Sequence, residues 1–136
     1  MDPNYLKLEG EDNLLPNNIR YRQAIGTLLY VAIVSRPDTS VAVNILRRRN
    51  EKPRGRDWNA EKRIIRYFKT TAELKLIINK DKEPILNASC DVDWANEKSN
   101  RKSTSGNLFK IGNSPIQWTS KRQNCVALSS TEAEYV

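Results

Sequence analysis

The spacing of apolar residues changes from helical to alternating near Thr71, and this change most constrains how the chain folds. Apolar residues before Thr71 recur with the period of an amphipathic helix, whereas those after it alternate with polar residues, as in a strand. The sequence therefore predicts an α+β fold in which a small helical unit precedes a short antiparallel meander. We place an extended arm over 1–18, a helical segment over 19–72 and a second domain over 73–136.

Three helices are predicted between Tyr21 and Thr70. The first ends before Pro37, because proline and the residue before it do not continue a helix. The second opens near Asp38, and the third follows the break at "NEKPRG" and has a basic outer face. The residues expected to face the core are Ile25, Leu28, Leu29, Ala32 and Ile33 in the first helix, Val41, Ile45 and Leu46 in the second, and Trp58, Ile64, Ile65 and Phe68 in the third.

Strands are predicted at "LKLIIN" and "ILNASCDVD", and a hairpin is predicted from "GNLFKIG" and "IQWTSK" with Gly112 and Pro115 as turn residues. Alternation in "ILNASCDVD" places the side chains of Asp91 and Asp93 on one face. The capping-box spacing of Thr131 and Glu134 predicts the start of a helix near Ser130. The hairpin residues expected to be buried are Phe109, Ile111, Ile116 and Trp118.

Positive charge is concentrated from the end of the second predicted helix through the third. The chain has a net charge of +7, and residues 46–69 hold ten basic and three acidic residues, which accounts for all of that excess. Such a segment is either a solvated surface or a surface that contacts phosphate groups, and a polyanionic partner such as nucleic acid fits the second alternative. The candidate nucleic-acid-binding residues in this segment are Arg47, Arg48, Arg49, Lys62, Arg63 and Arg66.

Several classes of site and location are disfavoured by composition. The chain has no histidine, so a metal site would have to use hard oxygen ligands. Cys90 and Cys125 are far apart and match neither a metal knuckle nor a disulfide framework. No run approaches the ~20 apolar residues of a membrane span, and the N-terminus lacks the pattern of a signal peptide. We therefore expect an intracellular protein, cytoplasmic or nuclear, with no membrane partner.

Two carboxylates could form part of a metal site. Asp91 is predicted at a strand end and Glu134 at the start of the next helix, where hard cations such as Mg²⁺ could be held. The alternative is ordinary, because an aspartate at a strand end is usually solvated and a glutamate near a helix start usually acts as a cap. Spacing alone leaves both interpretations open.

Four segments, taken together, resemble a known family. They are "YRQAIGTLLYVAIVSRPD", "DWNAEKRIIRYFKTT", "CDVDWANEKSNRKSTSGNLF" and "QWTSKRQNCVALSSTEAEYV". In order and spacing they are similar to the Pol polyprotein of copia-type LTR retrotransposons. The resemblance implies that 19–72 corresponds to the thumb and connection region of a reverse transcriptase. It also implies that 73–136 corresponds to the first part of a ribonuclease H domain, truncated at the start of its first helix.

The resemblance assigns catalytic and metal-binding roles to two acids of this chain. Asp91 matches the first metal-binding aspartate of ribonuclease H, Asp93 is the second aspartate of the same motif, and Glu134 fits the family's glutamate better than Glu132 does. The family uses four acids with Mg²⁺, and its other two are expected beyond Val136, just as the polymerase aspartates are expected before Met1. Two acids do not complete a two-metal site, so we expect no cleavage by this chain alone.

The resemblance also implies partners. Nucleic acid is expected, as an RNA/DNA hybrid or a duplex, with Arg101 and Lys102 added to the candidate binding residues. A complementary Pol chain could complete the missing site and restore cleavage. Two departures from the family pattern are Asn100, where an acid is usual, and Asp57, where histidine is common. A third alternative is an interaction remnant or pseudogene product that binds no nucleic acid.

Overall fold

The computed structural model describes residues 5, 12–80, 84–95 and 100–136, and within them it confirms the predicted α+β class. The described part of the chain divides between two compact units, Met1–Leu76 and Ile77–Val136. The assignment of these parts to reverse transcriptase and ribonuclease H stays a prediction. The helices are α1 (Ile19–Val34), α2 (Ser40–Arg47), α3 (Gly55–Thr70) and α4 (Ser130–Tyr135), and the strands are β1 (Leu86–Asp93), β2 (Thr104–Ile111) and β3 (Ser114–Arg122).

The first unit is built around the packing of α1, α2 and α3. A short 3₁₀ turn at Pro37–Thr39 separates α1 from α2, as expected from the proline. The Tyr21 hydroxyl in α1 donates a hydrogen bond of 2.8 Å to the backbone oxygen of Leu46 in α2, which ties the two helices together inside the core. The buried apolar residues of this core are Tyr5, Tyr21, Ile25, Leu28, Ala32, Val43, Leu46 and Ile64.

The prediction that three helix residues face the core is wrong. Ile33, Val41 and Ile65 are exposed by 61%, 54% and 45% respectively. In α2, Val43 is buried in place of Val41, because the buried side of the helix follows the spacing of Ser40, Val43 and Leu46. Spacing identifies a stripe of neighbouring residues on a helix, whereas its edges depend on where the other helices lie.

The second unit contains an antiparallel sheet in the order β1-β2-β3. Gly112 lies in the β2–β3 turn with φ of 57°, a conformation that glycine adopts without the strain of a side chain. The prediction that Pro115 is a turn residue is wrong. It lies within β3 and pairs with Lys110, at a shift in register that begins after Phe109. The shift leaves Ile116, not Pro115, outside the ladder, and β3 is an edge strand of the described sheet, where proline is tolerated.

The prediction of a strand at "LKLIIN" is also wrong. Residues 74–79 form neither a strand nor a helix, and Leu74, Ile77 and Ile78 are all exposed. The segment is instead attached near Ser114, where the backbone N–H of Asn79 donates to the Ser114 hydroxyl over 2.8 Å. An alternating pattern becomes a strand only when a neighbouring strand offers its backbone groups.

Side chains on the sheet are more exposed than the alternating pattern predicts. Every residue of β1 is exposed except Val92, which is half-buried. In the hairpin, Phe109 and Trp118 are half-buried, whereas Ile111 and Ile116 are exposed. Burial of these last two was therefore wrongly predicted. Three strands and one short helix offer too little surface to cover both faces of the sheet.

The predicted helix start near Ser130 is confirmed, but the predicted cap is wrong. The N-cap is Ser129, whose hydroxyl accepts a hydrogen bond of 3.1 Å from the backbone N–H of Glu132. The Glu132 carboxylate in turn accepts a hydrogen bond of 2.7 Å from the backbone N–H of Leu128. The cap therefore lies two residues before the predicted Thr131 and involves Glu132 rather than Glu134.

Candidate nucleic-acid interface and metal site

Asp91 is an exposed residue in the second half of β1. It pairs across the ladder with Gly106 of β2, and its own carboxylate accepts a hydrogen bond of 2.9 Å from the backbone N–H of Val92. Asp93, two residues further on, lies on the same face by alternation and pairs with Thr104. The side chain of Asp91 is thus presented at the surface, near the C-terminal end of its strand.

Glu134 is positioned by α4, which packs against β1. Three hydrogen bonds support this arrangement. The Gln123 amide donates to the Ser105 hydroxyl over 2.9 Å and to the backbone oxygen of Ala133 over 2.6 Å. The Trp94 indole N–H, just after β1, donates to the backbone oxygen of Ala127 over 3.1 Å. The structure therefore brings together the two elements that hold Asp91 and Glu134.

These two acids are suitable but insufficient ligands for Mg²⁺. Carboxylate oxygens are the donors that this ion prefers, and Glu134 has no role in the cap formed by Ser129 and Glu132. However, the described residues contain no group of three or more histidine, cysteine, aspartate or glutamate residues that could hold a metal ion. The residues described here do not by themselves fit a two-metal site.

The basic residues of α3 form a continuous exposed surface. Lys62, Arg63, Arg66 and Lys69 are all exposed, and we call them the α3 basic face. Lys62 also lies over the Trp58 ring, with 5.3 Å between its ammonium nitrogen and the ring centroid. Spacings of three and four residues place these side chains on neighbouring turns of one side of the helix.

The arginines at the end of α2 differ in their surroundings. Arg47 is exposed, whereas Arg48 and Arg49 are half-buried in the turn that follows the helix. Burial raises the pKa values of Tyr5 and Tyr21, and the charge of Arg49 opposes this rise. Arg49 therefore contributes to the electrostatics of the core as well as to the surface.

Arg101 and Lys102 belong to the second unit, where they precede β2. Arg101 is exposed and has a positive φ of 56°. The Lys102 ammonium group donates a hydrogen bond of 2.6 Å to the backbone oxygen of Asn124. Lys102 therefore has a hydrogen-bond partner within its own unit. The other six candidate residues belong to the first unit and lie earlier in the chain.

Sequence reasoning missed two buried acids on the inner side of α3. Asp57 and Glu61 are 1% and 0% exposed. Asp57 accepts hydrogen bonds from the Tyr5 hydroxyl and, over 2.7 Å, from the backbone N–H of Arg54 at the start of α3. Residues 57, 61, 64 and 68 follow helical spacing, so extending the inward stripe of Ile64 and Phe68 backwards would have found both acids.

Glu61 has no hydrogen-bond partner for either carboxylate oxygen among the described residues. Burial raises its pKa to about 7, and the charge of the adjacent Lys62 opposes this rise. An unpaired carboxylate in an apolar core is strongly disfavoured, so the neutral acid is favoured instead.

One further arginine has a structural role outside the candidate interface. The Arg36 guanidinium binds the Asp38 carboxylate at 2.8 Å, donates to the Thr71 hydroxyl at 2.8 Å and lies over the rings of Tyr67 and Phe68. The hydrogen bond from Arg36 is the main cause that lowers the pKa of Asp38. These contacts tie the turn before α2 to the C-terminal end of α3.

Known proteins similar to this chain include retrotransposon Pol polyproteins and an effector protein. The chain is 41% identical over 121 residues to the retrovirus-related Pol polyprotein from transposon RE2 of Arabidopsis thaliana. It is 42% identical over 118 residues to the Pol polyprotein from transposon TNT 1-94 of Nicotiana tabacum. These alignments cover 89% and 87% of this chain. The chain belongs to the copia-type Pol polyprotein family.

Secreted RxLR effector protein 161 of Plasmopara viticola is 40% identical over 119 residues, which are 88% of this chain and 84% of that protein. By contrast, this copia-type Pol chain spans only 8% of the RE2 polyprotein and 9% of the TNT 1-94 polyprotein. No protein family model matches it, and no solved structure is similar to it. Within the part of the chain that the structure describes, no helix is long and apolar enough to cross a membrane.

Proposed function

We propose that this copia-type Pol fragment binds nucleic acid through the α3 basic face and does not cleave phosphodiester bonds by itself. The observation that carries the proposal is the separation of charge on α3. Both acids of this helix, Asp57 and Glu61, are buried on its inner side, whereas Lys62, Arg66 and Lys69 are exposed on its outer side. The outer side therefore presents positive charge without a carboxylate of the same helix to neutralise it.

A rigid row of cations is suited to a phosphate backbone. Lys62 and Arg66 are one helical turn apart, about 6 Å along the axis, and Lys69 follows on the next turn. Phosphate contacts of this kind give affinity through the release of counterions and carry no base specificity. We infer that the partner is an RNA/DNA hybrid or a duplex and that binding depends strongly on salt.

The experiment measures binding of a fluorescently labelled RNA/DNA hybrid by anisotropy over a series of salt concentrations. The test variant replaces Lys62, Arg66 and Lys69 with Gln, and the matched control replaces Lys75, Lys80 and Lys121, which are also exposed. Both variants lose the same net charge. The slope of log affinity against log salt is negative. We expect its magnitude to decrease by about 0.9 for each lost phosphate contact, and only in the test variant.

Equal losses of affinity in the two variants would show that binding depends on net charge alone. That result would contradict a specific role for the α3 basic face. Absence of binding by the native chain at low salt would contradict the proposal itself. Replacing Arg47, Arg48 and Arg49 with Gln extends the test to the end of α2. That variant is less clean, because Arg49 also influences the buried tyrosines.

We further propose that 73–136 is the first part of a ribonuclease H-like domain in which Asp91 and Glu134 are two of four metal-binding acids. The packing of α4 against β1 supports this proposal, because it brings the two elements together. Mg²⁺ would need more oxygen ligands than these acids supply. A complementary Pol chain is the proposed source of the others, and hybrid cleavage is proposed only for such an assembly.

A second candidate is an interaction protein without nucleic-acid contacts. The match to 84% of Secreted RxLR effector protein 161 favours it, because that relative is not a long polyprotein. The same anisotropy experiment separates the two candidates, since the interaction protein would leave the labelled hybrid unbound at every salt concentration.

A further inference from the structure

A carboxyl group on the inner side of α3, that of Glu61, is buried without a hydrogen-bond partner among the described residues. Glu61 is 0% exposed, its charge acts on Tyr21 of α1, and neither of its carboxylate oxygens is hydrogen-bonded to a described residue. Asp57, one turn earlier on the same side of α3, is buried as well but accepts two hydrogen bonds. The two acids therefore differ in solvation although their positions on the helix are equivalent.

The tyrosine hydroxyls and the cations around the inner side of α3 have other interactions. On α1, the Tyr21 hydroxyl donates to the backbone oxygen of Leu46, and from the N-terminal stretch the Tyr5 hydroxyl donates to Asp57. After α2, Arg49 acts on these two tyrosines. On α3 itself, the Lys62 side chain is exposed and lies over the Trp58 ring. No described cation closes an ion pair on the Glu61 carboxylate.

We propose that Glu61 is a pH-sensitive device of the helical unit. Its carboxyl group is neutral in the folded core, and ionisation loosens the packing of α3 against α1 and α2. The geometry is the basis for this inference, because burying an unpaired carboxylate is far more costly than burying the neutral acid. The inference concerns stability and does not depend on nucleic-acid binding.

The direction of the pH dependence follows from the raised pKa. The ordinary value is 4.5, and burial raises the pKa of Glu61 to about 7 in the folded protein. The stabilising contribution of the neutral acid is complete below pH 4.5. It is lost progressively as the pH rises to about 7, because the unfolded chain ionises first. Mild acidification should therefore strengthen the helical unit.

The test compares the urea unfolding of the full chain with that of Glu61→Gln between pH 4.5 and 8. Unfolding is monitored by far-ultraviolet circular dichroism. Relative to Glu61→Gln, the unfolding equilibrium constant of the native chain should rise on the order of a hundredfold across this range. Glu51→Gln, at an exposed position, is the matched control and should follow the native chain. Parallel pH profiles for the native chain and Glu61→Gln would overturn the inference.

A second measurement keeps the inference testable if Glu61→Gln does not fold. The side-chain carboxyl carbon of Glu61 can be titrated by nuclear magnetic resonance in the native chain. An inflection near pH 7 supports the inference, whereas an inflection at or below pH 4.5 contradicts it. Glu61→Leu adds an independent arm, because it should be more stable than the native chain at pH 8 and should lack the pH dependence.

Discussion

At the scale of single residues, Asp57 connects the N-terminal stretch to the start of α3. Its carboxylate accepts hydrogen bonds from the Tyr5 hydroxyl and the backbone N–H of Arg54. In Asp57→Asn, one oxygen is replaced by an N–H₂ group, so one of the two donors loses its acceptor inside the core. We expect the free energy of unfolding to fall by about 1–3 kcal/mol, measured by urea denaturation.

The matched control for this substitution is Asp91→Asn, because Asp91 is exposed and, among the described residues, accepts a hydrogen bond from its neighbour Val92. It should change stability by less than about 0.5 kcal/mol. Equal effects of the two substitutions would show that the buried hydrogen bonds of Asp57 contribute nothing specific. The sequence offered Asp57 only as a departure from a family pattern, since Tyr5, which donates the buried side-chain hydrogen bond, lies 52 residues away along the chain.

At the scale of secondary-structure elements, α4 depends on its N-cap because it has only six residues. Ser129→Ala removes the hydroxyl that accepts the backbone N–H of Glu132. We expect this change to cost about 1 kcal/mol of local helix stability. Faster hydrogen exchange of the Glu132 and Ala133 amides would report the loss.

Thr131→Ala is the informative control, because spacing alone identified Thr131 as part of the cap. It should leave exchange in α4 nearly unchanged. A larger effect for Thr131→Ala than for Ser129→Ala would restore the cap predicted from sequence and contradict the observed hydrogen bonds. Both serine and threonine are good caps, so the local sequence permits either choice, and the structure places Ser129 at the N-cap.

At the scale of the whole molecule, we expect no Mg²⁺-dependent cleavage of a labelled RNA/DNA hybrid by the purified chain. The family resemblance assigns only Asp91 and Glu134 to a site that needs four acids, and two carboxylates do not hold both ions of a two-metal reaction. Gel electrophoresis of the hybrid checks this. Cleavage that disappears in Asp91→Asn would contradict the expectation, whereas cleavage that persists would point to a contaminating nuclease.

How much of the molecule could be predicted differs between its two units. Helices α1 and α3 were found nearly to the residue, because turns of a helix are stabilised within the segment and Pro37 marks a boundary that local chemistry sets. The sheet was predicted less well. The pattern at 74–79 had the period of a strand, yet no strand forms there, since the backbone of a strand needs a partner that the local sequence does not contain.

The same limit applies to the candidate site. The exposed positions of Lys62, Arg63 and Arg66 were expected from the amphipathic pattern, and the structure places them as expected. The burial of Asp57 and Glu61 was not expected, because carboxylates are usually placed on the solvent side when a helix is divided into faces. The hydrogen bonds of Asp57 and the proposed pH response of Glu61 became apparent only from the tertiary structure.

The sequence by itself determined the α+β class, the order of the main elements, the excess of positive charge and the resemblance to copia-type Pol. These properties depend on local periods and on ordered motifs, which can be read along one chain. Only the tertiary structure decided that Glu61 is enclosed without a partner and that α4 lies beside β1. Burial and hydrogen bonding are properties of what surrounds a group, and those surroundings come from residues far away in sequence.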